Sequence, residues 1–379
     1  MENEYVESRI SRHLHSRAAR AGIPLSGTFE LTPCCNLACK MCYVRKPRAE
    51  VEAEGGLMSA EQWITLAKKC RDSGMLYLLL TGGEPLTHPQ FREIYTAAKK
   101  LGFVVSINTN GTLIDDDMLH FLASDPPARV NMSLYGASRE TYSELCGVPE
   151  AFDRAMYALR GMRREGIRVK LNYSVTRYNR GDMVGILDTA KENDCNVQIA
   201  SYMFPPLRRD GSRIGENDRM TAEEDAAFTV KSERLRLPAE KFKERCKARI
   251  ARSGGTIDEE CLDAPTEHIR CRAGTTAFWV NWNGEISLCG MIPRPSANVK
   301  TTDFAEAWQR VREDTAKILV PAKCTACPDR EVCMVCAASC YCETGGFEKA
   351  PEYICRRTRA IIKESENAIA EEKENENQP

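Results

Sequence analysis

No apolar run in the 379-residue chain approaches the ~20 residues needed to cross a bilayer, and the longest, 75-MLYLLL-80, has the length of a buried strand. The opening MENEYVESRISRHLHSRAAR is charged throughout and lacks the apolar segment of a secretory signal. An excess of one charge is also missing, since 53 basic residues stand against 54 acidic ones. That balance gives no electrostatic reason to expect nucleic acid or an anionic membrane as partner. A soluble, cytoplasmic protein is expected.

What the chain does have is length and cysteine. It can form two domains, or one α/β domain of roughly 200–250 residues with an appendage. Eighteen cysteines would suit a disulfide scaffold in a short exported chain, but without an export signal closely spaced thiols read as metal ligands. They gather at 34–42 and 261–355. Cys70, Cys146 and Cys195 stand singly and read as small buried hydrophobes.

From Thr28 onward short apolar runs alternate with amphipathic helices. Strands are predicted at 29–31, 76–80, 103–107, 129–135, 167–175 and 196–204, with helices between them. Ser59 and Gln62 form a capping pattern for a helix closed by Gly74, and 146-CGVP-149 breaks the helical stretch from Ser138 to Glu165. Six strand-helix repeats imply parallel strands with right-handed crossovers, hence an α/β fold, a partial (β/α)6 TIM-like barrel. Ligands of such sheets sit at the C-terminal strand ends. The connection 205-PPLRRDGSRIGENDR-219 reads as a solvated loop before a helix near 221–236, and the acidic stretch 364–379 as a disordered tail.

The loop 34-CCNLACKMCYV-44 follows the first strand. Cys34, Cys39 and Cys42 give C-x4-C-x2-C, whereas Cys35, Cys39 and Cys42 give C-x3-C-x2-C, and the loop alone does not choose. C-x3-C-x2-C after strand one, followed by 82-GGEP-85 after strand two, resembles the radical S-adenosylmethionine (radical SAM) superfamily over about residues 25–204. The resemblance implies that Cys35, Cys39 and Cys42 hold a [4Fe-4S] cluster with one iron left for S-adenosylmethionine, and that Cys34 is a bystander. Cleavage of the sulfonium then yields a 5′-deoxyadenosyl radical. The same resemblance places Gly82, Gly83 and Glu84 at the methionine amino group, Asn110 and Ser133 at the ribose and methionine carboxylate, and Tyr43 near the adenine. An arginine that some members place about a dozen residues after that serine is missing, because the chain reads 145-LCG-147 there.

Downstream, Cys271, Gly284 and Cys289 give C-x12-G-x4-C across a predicted hairpin turning at Asn283-Gly284. Cys324, Cys327 and Cys333 give C-x2-C-x5-C, followed by Cys336, Cys340, Cys342 and Cys355. This resembles the SPASM extension, which implies two auxiliary [4Fe-4S] clusters. One would use Cys324, Cys327, Cys333 and Cys355. The other would use Cys271 and Cys289 with Cys336, Cys340 or Cys342, and Cys261 as a further candidate. The domains expected are a helical extension at 1–24, the barrel at 25–236 and the auxiliary-cluster domain at 237–363.

The activity this implies is hydrogen-atom abstraction from a ribosomally made precursor peptide and its oxidation to a thioether or carbon-carbon cross-link. A flavodoxin or ferredoxin would supply electrons. About 27 residues before the first strand are too few for a leader-binding winged helix, so a separate recognition protein or the 208-RRDGSR-213 loop would grip the leader. Alternatives are a sulfatase maturase, disfavoured by Gly290 after Cys289, a cofactor-precursor enzyme, and a non-catalytic iron-sulfur or zinc protein. No residue stands out as the catalytic acid or base.

Overall fold

The computed structural model describes residues 9–215, 218–254 and 271–376. Helix α1 (Arg9–Ala21) leads to strand β1 (Ser26–Glu30), the cysteine loop, a short α2 (Arg48–Ala53) and α3 (Ala60–Asp72). The repeats continue as β2 (Tyr77–Thr81), α4 (Phe91–Lys100), β3 (Val104–Thr109), α5 (Asp116–Ser124), β4 (Arg129–Ser133), α6 (Arg139–Cys146), α7 (Ala151–Arg164), β5 (Val169–Ser174), α8 (Met183–Glu192) and β6 (Asn196–Ala200). Then come α9 (Ala222–Arg236), α10 (Ala239–Ala251), β7 (Ala277–Val280), β8 (Glu285–Ser287), β9 (Ala297–Asn298), α11 (Phe304–Ala316), α12 (Ala322–Thr325), α13 (Ala337–Thr344) and α14 (Glu352–Glu376).

Local chemistry sets the boundaries. Gln62 N–H donates to Ser59 Oγ at 3.3 Å and Ser59 N–H donates to Gln62 Oε1 at 2.9 Å, the reciprocal box that starts α3. Gly147 ends α6 at φ +75°, a conformation that favours glycine, and α7 starts afresh four residues later.

Strands β1 to β6 are parallel and adjacent in chain order. β7 then joins the other edge of β1 in parallel, and β8 and β9 follow antiparallel. The C-terminal cysteine region therefore extends the barrel sheet across the expected boundary at 237.

One face of the sheet is apolar. Phe29, Leu80, Ile107, Met132 and Leu171 are buried in the main core. The opposite face, which lines the open barrel, carries rows fixed by register: Ser106 beside Arg129; Asn108, Asn131, Lys170 and Asn196; Ser133, Asn172 and Gln198. Strands packed on both faces would be hydrophobic throughout, so the polar rows mark the inside as a wet or ligand-bearing surface.

Two expectations change. The 205–219 connection is tied down by ion pairs: Arg208 on Glu30 and Arg219 on Glu343, with side chains only 12% and 7% exposed. The acidic tail is helical to Glu376, because Ile361, Ala368 and Ile369 share a face that packs on Ala226, Val230, Phe242 and Cys246 of α9 and α10. Its charge had masked that spacing. Among the described residues no helix is long and apolar enough to cross a membrane.

Candidate active site

The cysteine loop leaves the C-terminal end of β1 and is stitched to the GGEP turn at the end of β2. Gly83 N–H donates to Thr32 O at 2.7 Å and Glu84 N–H to Cys34 O at 2.9 Å. A Cβ on Gly82 would stand 2.5 Å from Thr32 O, and one on Gly83 2.5 Å from both Cys34 O and Pro33 O. The two glycines thus answer to backbone contact with the cysteine loop itself. Cys34 enters the site through its backbone, its N–H donating to Thr32 Oγ1 at 3.0 Å.

The thiols of Cys35, Cys39 and Cys42 lie within electrostatic reach of one another. Cys35 Sγ accepts from Leu37 N–H at 3.4 Å and faces Asn110 Nδ2 at 3.7 Å, and Cys42 Sγ accepts from Arg45 N–H at 3.3 Å. Cys39 lies against Cys146 and Tyr135. Burial pushes the Cys35 thiol up to about 12 and raises Cys42, while contact with Cys146 and then burial raise Cys39. Without a cation all three stay neutral thiols, and a bound metal reverses that preference.

At 145–147, where the arginine of some members is missing, α6 contributes backbone to the cysteine loop: Ala38 N–H donates to Cys146 O at 3.2 Å and Lys40 N–H to Leu145 O at 3.0 Å. Cys146 is buried, as expected of a small hydrophobe, but it also fixes the cysteine loop. Tyr135, which sequence reasoning missed, hydrogen-bonds both Ser133 and Cys39, and burial raises its phenol strongly. Its only signal was its place at the end of the predicted fourth strand, 129–135.

Glu84 is fully buried, which drives its carboxyl up to about 7 against three hydrogen bonds. Asn110 N–H donates to Oε2 at 2.7 Å, and Thr109 Oγ1 and Leu86 N–H donate to Oε1 at 2.8 and 3.2 Å. A carboxylate has about four acceptor positions, so one remains for an incoming ammonium. Asn110 is otherwise engaged: Oδ1 accepts from Thr112 N–H at 2.9 Å and from the Thr112 hydroxyl at 2.6 Å, while Nδ2 donates to Asn36 Oδ1 at 3.0 Å and faces Cys35. In this arrangement it positions the cysteine loop.

The second cysteine field divides in two. Cys324, Cys327, Cys333 and Cys355 line one cavity of about 140 Å³, together with Lys323, Arg330 and Arg359. Cys289 senses Cys336 and Cys271, and Cys342 senses Cys289 and Cys336. Cys340 stands between the groups, closest in influence to Cys324. Burial raises Cys289 and Cys324 to about 11 and Cys340 and Cys342 to about 12. Cys261 lies outside the described residues. Among the described residues no three His, Cys, Asp or Glu side chains converge as the ligands of a single metal ion.

Tyr43 connects the two fields. Its phenol lies by Glu30, Arg208, Cys42 and Cys289, and burial raises it strongly. Glu30 receives Arg208 through two hydrogen bonds of 2.6 Å and Trp279 Nε1–H at 2.9 Å, and Arg208 also donates to Gly290 O at 3.0 Å. The aromatic ring expected at an adenine is thus part of a polar bridge toward Cys289.

Residues 29–190 match the radical SAM superfamily model. An AdoMet-dependent heme synthase of Methanosarcina barkeri is 26% identical over 89% of this chain and 98% of its own length. An Fe-coproporphyrin III synthase of the same organism is 27% identical over 80% and 81%. Streptococcus suis SuiB, solved with precursor peptide SuiA, shares the fold with TM-score 0.65 at 18% identity, covering 94% of this chain and 83% of SuiB. The match to the radical SAM superfamily thus falls on the stretch that carries the cysteine loop at the end of β1 and the buried Glu84 at the end of β2.

Proposed function

We propose that this chain is an oxidising radical SAM enzyme with two auxiliary [4Fe-4S] clusters, acting on a carboxylate-bearing cofactor precursor of the tetrapyrrole class. When bound, the first cluster and S-adenosylmethionine supply one-electron cleavage of the sulfonium to a 5′-deoxyadenosyl radical. Cys35, Cys39 and Cys42 would hold that cluster, Asn110 and Leu37 orienting the first thiol and Arg45 the third. Glu84 would take the methionine ammonium on its remaining acceptor position, and the Ser133-Tyr135 pair borders the same space. Cys324, Cys327, Cys333 and Cys355 would hold one auxiliary cluster, and Cys271, Cys289, Cys336 and Cys342 the other. Soft thiolates suit iron-sulfur centres, and the open cavity among the first four has room for more than a single ion.

The observation that carries the substrate class is likeness along nearly the whole length of a heme synthase. The peptide-maturase alternative is supported by the fold shared with SuiB, which was solved with its precursor peptide. The test is anaerobic reconstitution with iron and sulfide, then dithionite and S-adenosylmethionine with either Fe-coproporphyrin III or SuiA peptide. A mass change in the porphyrin together with 5′-deoxyadenosine is expected. Deoxyadenosine without porphyrin conversion, but with a modified peptide, would replace the proposal with the peptide reading.

A further inference from the structure

The polar rows inside the barrel leave two cations without a counterion. Arg129 opens β4, and Lys170 stands one strand over, opposite Asn131, on the same face. Lys170 Nζ donates to Gln198 Oε1, a neutral acceptor. Arg129 Nε is buried without a hydrogen-bond partner, and neither cation pairs with a carboxylate among the described residues. Burial and then the neighbouring Arg129 pull the Lys170 ammonium down to about 8, so each charge makes the other more costly.

Two acceptors beside them are also unmet. Asn131 Nδ2 donates to Asn108 Oδ1 at 2.8 Å, but Asn131 Oδ1 is buried without a partner, as is Asn172 Oδ1. Buried polar groups left unpaired cost free energy, and orphan donors and acceptors of both kinds collected on one surface are what a polar ligand satisfies. Arg129 lies four residues before Ser133 on β4, about 13 Å along the strand at roughly 3.3 Å per residue. A molecule anchored there would reach along the inner face to the strand ends, where the cysteine loop stands.

We propose that Arg129 and Lys170 form an oxyanion subsite on the floor of the barrel, taking a carboxylate or phosphate of the substrate while Asn131 and Asn172 accept N–H donors from the same molecule. This deepens the function proposed above and rests on it for the choice of the porphyrin probes; a nucleotide pair covers the phosphate alternative. An arginine offers a planar fork to an oxyanion and the lysine a point charge, so the two together grip a group with at least two oxygens.

The test is anaerobic binding to the reconstituted full chain of two matched pairs: Fe-coproporphyrin III against its methyl ester, and GTP against guanosine. The wild type is expected to bind the charged member of one pair at least about tenfold more tightly than the neutral one, the effect of one charge-assisted hydrogen bond. Discrimination in the porphyrin pair identifies a carboxylate, and in the guanosine pair a phosphate. Arg129→Gln and Lys170→Gln abolish the difference, while Arg129→Lys and Lys170→Arg, which keep the charge, retain part of it. Arg168→Gln, which removes an exposed arginine just before β5, leaves it intact. The proposal is overturned if the wild type discriminates in neither pair, if the Gln variants discriminate as well as wild type, or if Arg168→Gln loses as much. Deoxyadenosine formation by the wild type is scored separately: its absence sinks the radical reading, whereas the subsite stands or falls on binding.

Discussion

Arg208, in the connection after β6, holds Glu30 at the end of β1 through two hydrogen bonds of 2.6 Å each. The pair spans the barrel from its last strand back to its first, beside Tyr43 and Cys289. With Glu30 1% exposed, removing one partner strands a buried charge. Arg208→Ala is therefore expected to cost about 3–5 kcal/mol in urea unfolding of the reduced apoprotein. Glu30→Gln with Arg208→Met should recover most of it. A cost near zero for Arg208→Ala would mean the bridge contributes only as a surface pair does.

The cysteine loop predicts an asymmetry between neighbours. Cys34 contributes its carbonyl to Glu84 N–H and its own N–H to Thr32, and both contacts survive truncation of the side chain. Cys34→Ala should keep full iron content and deoxyadenosine formation. Cys35→Ala/Cys39→Ala/Cys42→Ala should lose about four irons per chain and all deoxyadenosine. Equal iron loss in the two proteins would return Cys34 to the ligand set.

The legible part of this protein was periodic or punctuated. Alternating strand and helix patterns, the capping box of Ser59 and Gln62, the break at Gly147 and the cysteine spacings all act through neighbours in the chain, so the sequence displays them. What stayed hidden depends on distant partners. Nothing local in 205–219 distinguishes Arg208, paired with a residue 178 positions away, from the exposed Arg209 beside it. Tyr135 gained its place only when β4 met the cysteine loop. The apolar stripe of α14 was diluted by the acidic residues on its other faces, and its partners α9 and α10 lie more than a hundred residues earlier.

That stripe can be tested directly. Ile361 is 6% exposed in the satellite core formed with α9 and α10. Ile361→Ala should cost about 2–5 kcal/mol in urea unfolding, by lost burial and the cavity left behind. An effect below 0.5 kcal/mol would mean that the helix does not dock there in solution.

Glu84 makes a prediction in pH. Its carboxyl is raised from 4.5 to about 7 in the folded chain, chiefly by burial. A raised folded value means the fold favours the protonated form: that contribution is complete below about 4.5 and is lost as pH rises through about 7. The loss amounts to roughly 3 kcal/mol across the window at 1.36 kcal/mol per unit. Glutamine cannot ionise, but it turns an N–H2 toward donors at Asn110 or at Thr109 and Leu86, leaving buried donors opposed, a cost of about 1–3 kcal/mol at any pH. The penalty of Glu84→Gln relative to wild type should therefore be largest near pH 5 and shrink toward pH 8, measured by urea unfolding of the reduced apoprotein. A penalty that grows with pH over that range would show that the hydrogen bonds from Asn110, Thr109 and Leu86 outweigh burial and that the carboxylate is held ionised.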